Sequence, residues 1–452
     1  MDIRLDREVV YSVFEGFGAS GAWWAQEVGG WTHADESGMA VRDRISQLLY
    51  SKTEGIGLRT YRYNIGAGSR HSGNGEIGNP LRRTESFDAG DGKYDFTRDA
   101  NAVYMMKKAA SDGADEIILF VNSPVERLTK NGWSHLGKYQ IMRDNIAPCN
   151  YGKFAAYCLD VTEHFVSEGL PVKYLSPVNE PVWIWNGGQE GCHYGPRSVA
   201  RVLKVFADEM AKRPALRGVK LSAAESGDLR WLNKTYTRAV MKHRAVRERI
   251  DSIDVHSYFL KGAQKGFFSR EAFLKRYRKW LDRNYPDLDV KMSEWCHMQG
   301  GRDKTMASAL VTADTIYKDI SILNVTSWQH WIAVSEVDYC DGLIYINLED
   351  KSFEMTKRYY VTGNFSKYIP FGAKRIAADC TDGDIKILAF EKDGRSIVVA
   401  INDCENEKTV SLPDAVGEVT VAVTDENHNL EEKTASGREI ILTSRSVTTL
   451  VF

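Results

Sequence analysis

Two glutamates have the residue type and setting to share one reaction. Glu180 lies in SPVNEPVWIWNGGQEGCHYGP (176–196) and Glu294 in DVKMSEW (289–295). A carboxylic acid and a carboxylate about 5–5.5 Å apart can break a glycosidic bond in two displacements, one donating a proton and the other attacking the anomeric carbon. Taken singly, each is an ordinary solvated carboxylate. The pair becomes specific only if the chain brings both to one place. Polar and aromatic residues recur in comparable settings: Arg62-Tyr63-Asn64, NSPVERLTKNGW (122–133), His256-Ser257-Tyr258, and Trp328-Gln329-His330-Trp331. Glu126, Glu190, Glu225 and Glu336 are further carboxylates in such settings, each able to bind a sugar hydroxyl.

The elements that must position these groups can be read from periodicity. Short β-branched or apolar runs lie at 9–14, 58–65, 116–121, 172–178, 219–225, 250–257, 289–295 and 325–332. Amphipathic stretches near 39–52, 96–113, 152–167, 197–211, 235–248, 270–284, 304–321 and 353–367 alternate with them. Strands alternating with helices imply parallel pairing with right-handed crossovers. Eight such units predict an α/β fold, a (β/α)8 TIM barrel, whose reactive groups gather at the C-terminal strand ends. Every cluster above falls at such an end. Strands four and seven face each other across an eight-stranded barrel, so Glu180 and Glu294 could converge over its mouth. After residue 368 the pattern changes to short alternating strands around turns such as Lys392-Asp393-Gly394, an appended antiparallel β-sandwich. The opening MDIRLDREV alternates in the same way. The expected domains are a catalytic barrel at 13–367 and a side domain built from 1–12 plus 368–452.

Eight of the 11 tryptophans (Trp23, Trp24, Trp133, Trp183, Trp185, Trp295, Trp328, Trp331) lie at or just past predicted strand ends. Indole faces beside convergent polar groups suit the C–H faces of sugar rings; core packing is the alternative for any one of them. Gly16-Phe17-Gly18-Ala19-Ser20-Gly21 fits G-x-G-x-x-G, but a dinucleotide site needs a following helix and an acidic residue ending a second strand. Here Trp23 and Trp24 follow at once, Gly29-Gly30 interrupts, and 31–42 reads as a loop entering a helix. The glycines are instead expected to end barrel strand one, with Trp23 and Trp24 walling a sugar subsite. A net charge of -2 over 452 residues suggests neither nucleic acid nor an anionic membrane as partner. No apolar run has the length of a membrane helix. Seven cysteines without C-x-x-C spacing argue against a disulfide framework or zinc knuckle, and neither metal nor cofactor is expected. The N-terminus lacks the pattern of a signal peptide, so the expectation is cytoplasmic for a complete chain and secreted if a signal was removed.

With these residues in view, the sequence resembles clan A glycoside hydrolases, and family 30 in particular. Asn179-Glu180-Pro181 matches the clan's motif after strand four, where the glutamate is the acid/base; Glu294 in KMSEW matches the strand-seven nucleophile; Arg62 in RTYRYNIGAG matches the arginine beside it. GFGAS, NSPVERLTKNG and a sandwich that includes the N-terminus point to family 30. The resemblance implies retaining hydrolysis of a β-glycoside, with Arg62 and Tyr258 holding Glu294 ionised and Asn179 binding the 2-hydroxyl. Asn64, Trp23, Trp24, Trp328 and Trp331 are expected to line the substrate site. His256 reads either as a member of it or as strand-end packing. SPVNEPVWIWNGGQEGCHY and GFGASGAWWA look most like the endo-β-1,6-galactanase branch, which implies that Trp185 and Glu190 help bind a galactosyl unit. The expected partner is therefore an oligosaccharide or polysaccharide of β-1,6-linked galactose. Other family substrates (β-1,6-glucan, xylan or xyloside, fucoside), transglycosylation and a catalytically silent glycan-binding protein stay open.

Overall fold

The computed structural model describes residues 1–71, 77–90, 92–137, 143–230, 232–258, 268–413 and 417–452. One sheet holds eight strands: Gly16–Ser20 (β1), Thr60–Asn64 (β2), Glu116–Phe120 (β3), Val172–Ser176 (β4), Lys220–Leu221 (β5), Ser252–His256 (β6), Asp289–Trp295 (β7) and Ser327–His330 (β8). Their order is β5-β4-β3-β2-β1-β8-β7-β6. A parallel bridge between Ala224 and Asp254 joins the chain just past β5 to β6 and closes the ring. The fold is the (β/α)8 barrel with an appended β-sandwich.

Packing divides the chain into two compact units, Ser20–Ser46 with Thr60–Glu294, and Met1–Ala19 with Gln47–Arg59 and Trp295–Phe452. In the first unit the helices bury one stripe each. Pro196–Met210 begins with proline, whose fixed φ suits a first helical turn, and buries Val199, Val202, Leu203, Phe206 and Met210 at helical spacing. Arg270–Asn284 is capped by Ser269, whose hydroxyl accepts from the Ala272 N–H at 3.2 Å. Its Arg270 is buried and donates to the Ser257 carbonyl and hydroxyl, tying the helix to the loop that follows β6. The single helix expected at 235–248 is two, Asn233–Val240 and Arg244–Arg247. Val240 and Val246 are both fully buried, and residues six apart lie on different faces of one helix, so the chain turns between them.

The second unit carries β1, β8 and the sandwich. Seven strands pair in the order Ile3–Phe14, Ala373–Cys380, Ile385–Lys392, Arg395–Asn402, Ser446–Val451, Glu418–Thr424, Asn429–Ser436. Lys408–Ser411 and Glu439–Leu442 form a second, two-stranded sheet. Two-residue alternation puts Ile385, Ile387 and Ala389 on one face, where they join Val398, Val410 and Leu450 in the sandwich core.

One strand assignment is corrected. The run at 9–14 is not a barrel strand. Ile3–Phe14 is continuous and pairs antiparallel with Ala373–Cys380, from Ile3 opposite Cys380 to Phe14 opposite Ala373. The barrel strand is the glycine-bearing GFGAS itself, buried throughout. Glycine is a poor strand former, so pattern favours the apolar run before it. Gly16 opens β1 rather than ending it. Its φ of 128° is open to glycine, and a Cβ there would lie 3.1 Å from the Arg59 side chain.

Candidate active site

Along β2 the side chains alternate, so Arg62 and Asn64 share one face of the strand and Tyr61 and Tyr63 the other. Arg62 is buried, its guanidinium 3.8 Å from the centre of the Phe120 ring. It donates to Glu294 Oε2 at 2.5 Å and to Asn179 Oδ1 at 3.0 Å, and lies 3.5 Å from Glu225 Oε1. Burial opposes its charge, but Glu225 and Glu294 more than offset that, so it stays a cation. Tyr258 donates its hydroxyl to Glu294 Oε1 at 2.8 Å. Both oxygens of Glu294 are thus fixed by hydrogen-bond donors. Asn179 Nδ2 donates to Asn122 Oδ1 at 3.0 Å, and among the described residues its second hydrogen is left over.

Glu180 follows β4 with φ at 45° and donates its backbone N–H to the Glu225 carbonyl at 2.8 Å; Glu225 follows β5 with φ at 51°. Two non-glycine residues in left-handed backbone, laced to each other, set both carboxyl groups at fixed angles. His256 lies between them. Its Nδ1 is 2.9 Å from Glu180 Oε1, its Nε2 2.6 Å from Glu225 Oε2, and Glu294 Oε1 is 3.6 Å from Nδ1. One oxygen of Glu180, one of Glu294 and a His256 nitrogen all lie within 4.8 Å of one another.

Burial raises the Glu180 carboxyl; the His256 hydrogen bond and charge pull it back, and the Glu294 charge raises it again. The outcome is a carboxyl that stays protonated to higher pH than a free one. Burial alone would lower His256, but Glu294, Glu180 and Glu225 raise it to about 10. Burial would raise Glu225 too, yet the Arg62 charge and the hydrogen bonds from His256 and Ser293 hold it far below the usual carboxylate range. Chemically, the site presents a proton donor and a fixed carboxylate within reach of one bond. Among the described residues, Glu180, His256 and Glu294 also have the spacing of a metal site. A doubly protonated His256 has no lone pair for a cation, which argues against that use.

The remaining expected residues divide. Asn64 and Trp23 line one small recess with Gly21, Ala22 and Asp99, and among the described residues Asn64 Nδ2 has no hydrogen-bond partner. Trp185 donates its indole N–H to the Glu180 carbonyl at 3.1 Å, lying so close to Gly191 that a Cβ there would fall 2.3 Å from the ring. Trp331 ends the β8 segment, with its N–H on the Trp295 carbonyl at 2.8 Å. Trp24 and Trp328 are corrections. Both are fully buried, with indole N–H groups donating to the Ser20 carbonyl and to Asp319 Oδ2, so neither offers a face to a sugar. Trp24→Ala is expected to cost about 3–5 kcal/mol of stability in urea denaturation, with KM for the folded enzyme unchanged. Lost substrate affinity at unchanged stability would reverse the assignment.

Glu190 is the third correction. It is buried, accepting from the Ala67 and Ser69 N–H groups and the Ser69 hydroxyl, and so pins the loop after β2 instead of meeting a galactosyl unit. Burial pushes its carboxyl up to about 7, its hydrogen bonds pulling the other way. The folded protein then binds a proton that the unfolded chain releases above its own value of 4.5. Stability from this group is present below that value and is lost as pH rises toward about 7, by about 1.4 kcal/mol per pH unit. Glu190→Gln, neutral at every pH, should show a flatter stability–pH curve in that window; parallel curves would count against the buried acid.

Glu225 is the residue that sequence reasoning undervalued. Instead of reaching a sugar hydroxyl it is wholly buried and accepts from Ser176, Ser222 and Ser293 at 3.0, 2.9 and 2.6 Å, besides His256. A readable trace existed: LSPV, LSAAE and MSEW each carry a serine where β4, β5 and β7 give out.

Residues 1–345 match the family model described as O-glycosyl hydrolase family 30. An endo-beta-1,6-galactanase of Hypocrea rufa is 24% identical over 434 residues, covering 91% of this chain and 82% of its own. A solved conserved exported protein from Bacteroides fragilis superposes with a TM-score of 0.89 at 24% identity, each chain covered 100%. The catalytic domain of a family 30 xylanase C from Talaromyces cellulolyticus superposes at 0.77 with 20% identity, covering 100% of this chain and 99% of its own.

Proposed function

The chain belongs to O-glycosyl hydrolase family 30, and from that premise we propose that it cleaves β-1,6-linked galactan or galactooligosaccharides by double displacement with retention. The spacing of the two carboxyl groups carries the mechanistic half. Oxygens within 4.8 Å suit direct attack, whereas inverting enzymes keep about 6.5–9.5 Å to admit a water. The galactanase relative supports the substrate half.

In the first displacement the Glu294 carboxylate attacks the anomeric carbon while Glu180 gives its proton to the departing oxygen. Arg62 and Tyr258 hold Glu294 in line until it forms the ester. In the second, Glu180, now a carboxylate, takes a proton from water as the water attacks the same carbon and releases Glu294. The remaining Asn179 N–H is placed to bind the 2-hydroxyl, a contact that strengthens at the transition state. Asn64 Nδ2 supplies a further open donor beside Trp23.

The experiment is sugar release from β-1,6-galactooligosaccharides, with the anomer of the first product read by NMR and Glu294→Gln as control. A β product that vanishes in the variant supports the proposal, and product lengths separate endo from exo cleavage. An α product would overturn retention. No release, with turnover of aryl β-glycosides of another sugar, would overturn the galactan assignment and leave the mechanism. No turnover of any glycoside would favour a silent glycan-binding protein.

A further inference from the structure

A histidine with a carboxylate on each ring nitrogen is an unusual partner for a proton donor. The groups around His256 come from every side: Glu180 after β4, Glu225 after β5, Glu294 on β7, Arg62 on β2, Tyr258 two residues on and Asp254 two residues back. Glu180, Glu225 and Glu294 lie within 3.6 Å of a ring nitrogen, and Arg62 pairs with Glu225 and Glu294. Tyr258 meets the ring edge-on at 6.0 Å between centroids. Asp254 faces Ser222 and Ser252, and burial beside the Glu225 charge pushes its carboxyl up to about 7. Of the three nearby carboxylates, Glu225 alone is shut away from any substrate, at 0% exposed.

Resting on the double-displacement reading above, we infer that Glu225 is a positioning residue for proton transfer: through Nε2 it holds the His256 ring doubly protonated, so that Nδ1 is a standing donor to Glu180 Oε1 and the transferable proton is confined to Glu180 Oε2.

The alternative state makes the need plain. A neutral ring protonated only at Nε2 would offer a lone pair at Nδ1, 2.9 Å from Glu180 Oε1. Glu180 would then give its proton to the ring rather than to the leaving oxygen. Glu225 closes that route, because an ionised carboxylate at 2.6 Å favours the imidazolium. Glu225 in turn is kept ionised by Arg62 and by hydroxyls from three strand ends. The same imidazolium then faces the Glu180 carboxylate that the first displacement creates and stabilises it for its turn as base. His256 itself loses no proton in either step.

The test is imidazole nitrogen NMR on the enzyme labelled at its 10 histidines, with His256 assigned by its absence from His256→Gln. The wild-type ring should keep both N–H signals from about pH 5 to about pH 9. In Glu225→Gln the ring should lose one proton inside that range. Its kcat should fall about tenfold or more, with KM within about threefold and a new ionisation in kcat/KM against pH. A wild-type ring that titrates near about 6.5 would overturn the inference, even if Glu225→Gln does not fold. So would a variant whose ring spectrum and pH profile match the wild type. The wild-type spectrum does not depend on which sugar is cleaved, so failure of the substrate assignment and failure of this inference are separate results.

Discussion

Glu294→Gln should lower kcat by about 10⁴-fold or more while leaving the protein folded, because on the double-displacement proposal it removes the group that forms the glycosyl ester. Both oxygens of Glu294 are spoken for, by Arg62 and Tyr258, and glutamine can keep the bond from Arg62 to its carbonyl oxygen. Glu294→Ala adds a sharper test. It leaves a gap beside the anomeric carbon, and azide entering that gap would attack from the face Glu294 used, giving an α-glycosyl azide from a β-glycoside. A variant that keeps a tenth of wild-type activity, or an azide product of β configuration, would remove Glu294 from the nucleophile's role.

Glu180→Ala should behave differently, because it removes a proton and not a bond. Hydrolysis of unactivated glycosides should fall by about 10²–10⁴-fold, the usual worth of general acid catalysis. Aryl glycosides with very acidic leaving groups need no donor, so their first displacement should be nearly untouched and the glycosyl-enzyme should accumulate. Azide would then speed turnover and give a β-glycosyl azide. The pH profile carries a signed prediction as well. Burial raises the Glu180 carboxyl, and the protonated form is the one that works, so wild-type kcat/KM should fall as pH rises through that raised value. In Glu180→Ala that basic limb should be gone. Its survival would assign the limb to another group, with His256 next to be examined.

The unequal success of sequence reading has local causes. Glu180 and Glu294 were legible because eight strand–helix units leave few places for a strand-end carboxylate to go. Arg62 followed from the same geometry. The tryptophans misled in part: Trp24 opens a helix just past β1 and Trp328 is the second residue of β8, and both rings are wholly buried with their indole N–H groups satisfied inside the protein. Position along a strand says which end a residue is near, not which way its ring lies. Glu190 and Glu225 misled for a related reason, since a glutamate's type does not reveal how many donors will surround it.

Sequence by itself therefore determined the architecture and the meeting of Glu180 and Glu294, because both depend on periodicity and on residues within a few positions of a strand end. It did not determine how β1 is spelled, because glycines carry no pattern and only Gly16, at φ 128°, tells where the chain turns. Tertiary structure alone decided the charge states. Glu180, Glu190 and Glu225 are the same side chain, and burial raises all three, yet Arg62, His256 and Ser293 drive the third back down. Those partners come from strands more than a hundred residues apart in some pairs, such as Arg62 and Glu225, and a carboxyl's proton answers to whatever charge lies within a few ångströms, however far along the chain it began.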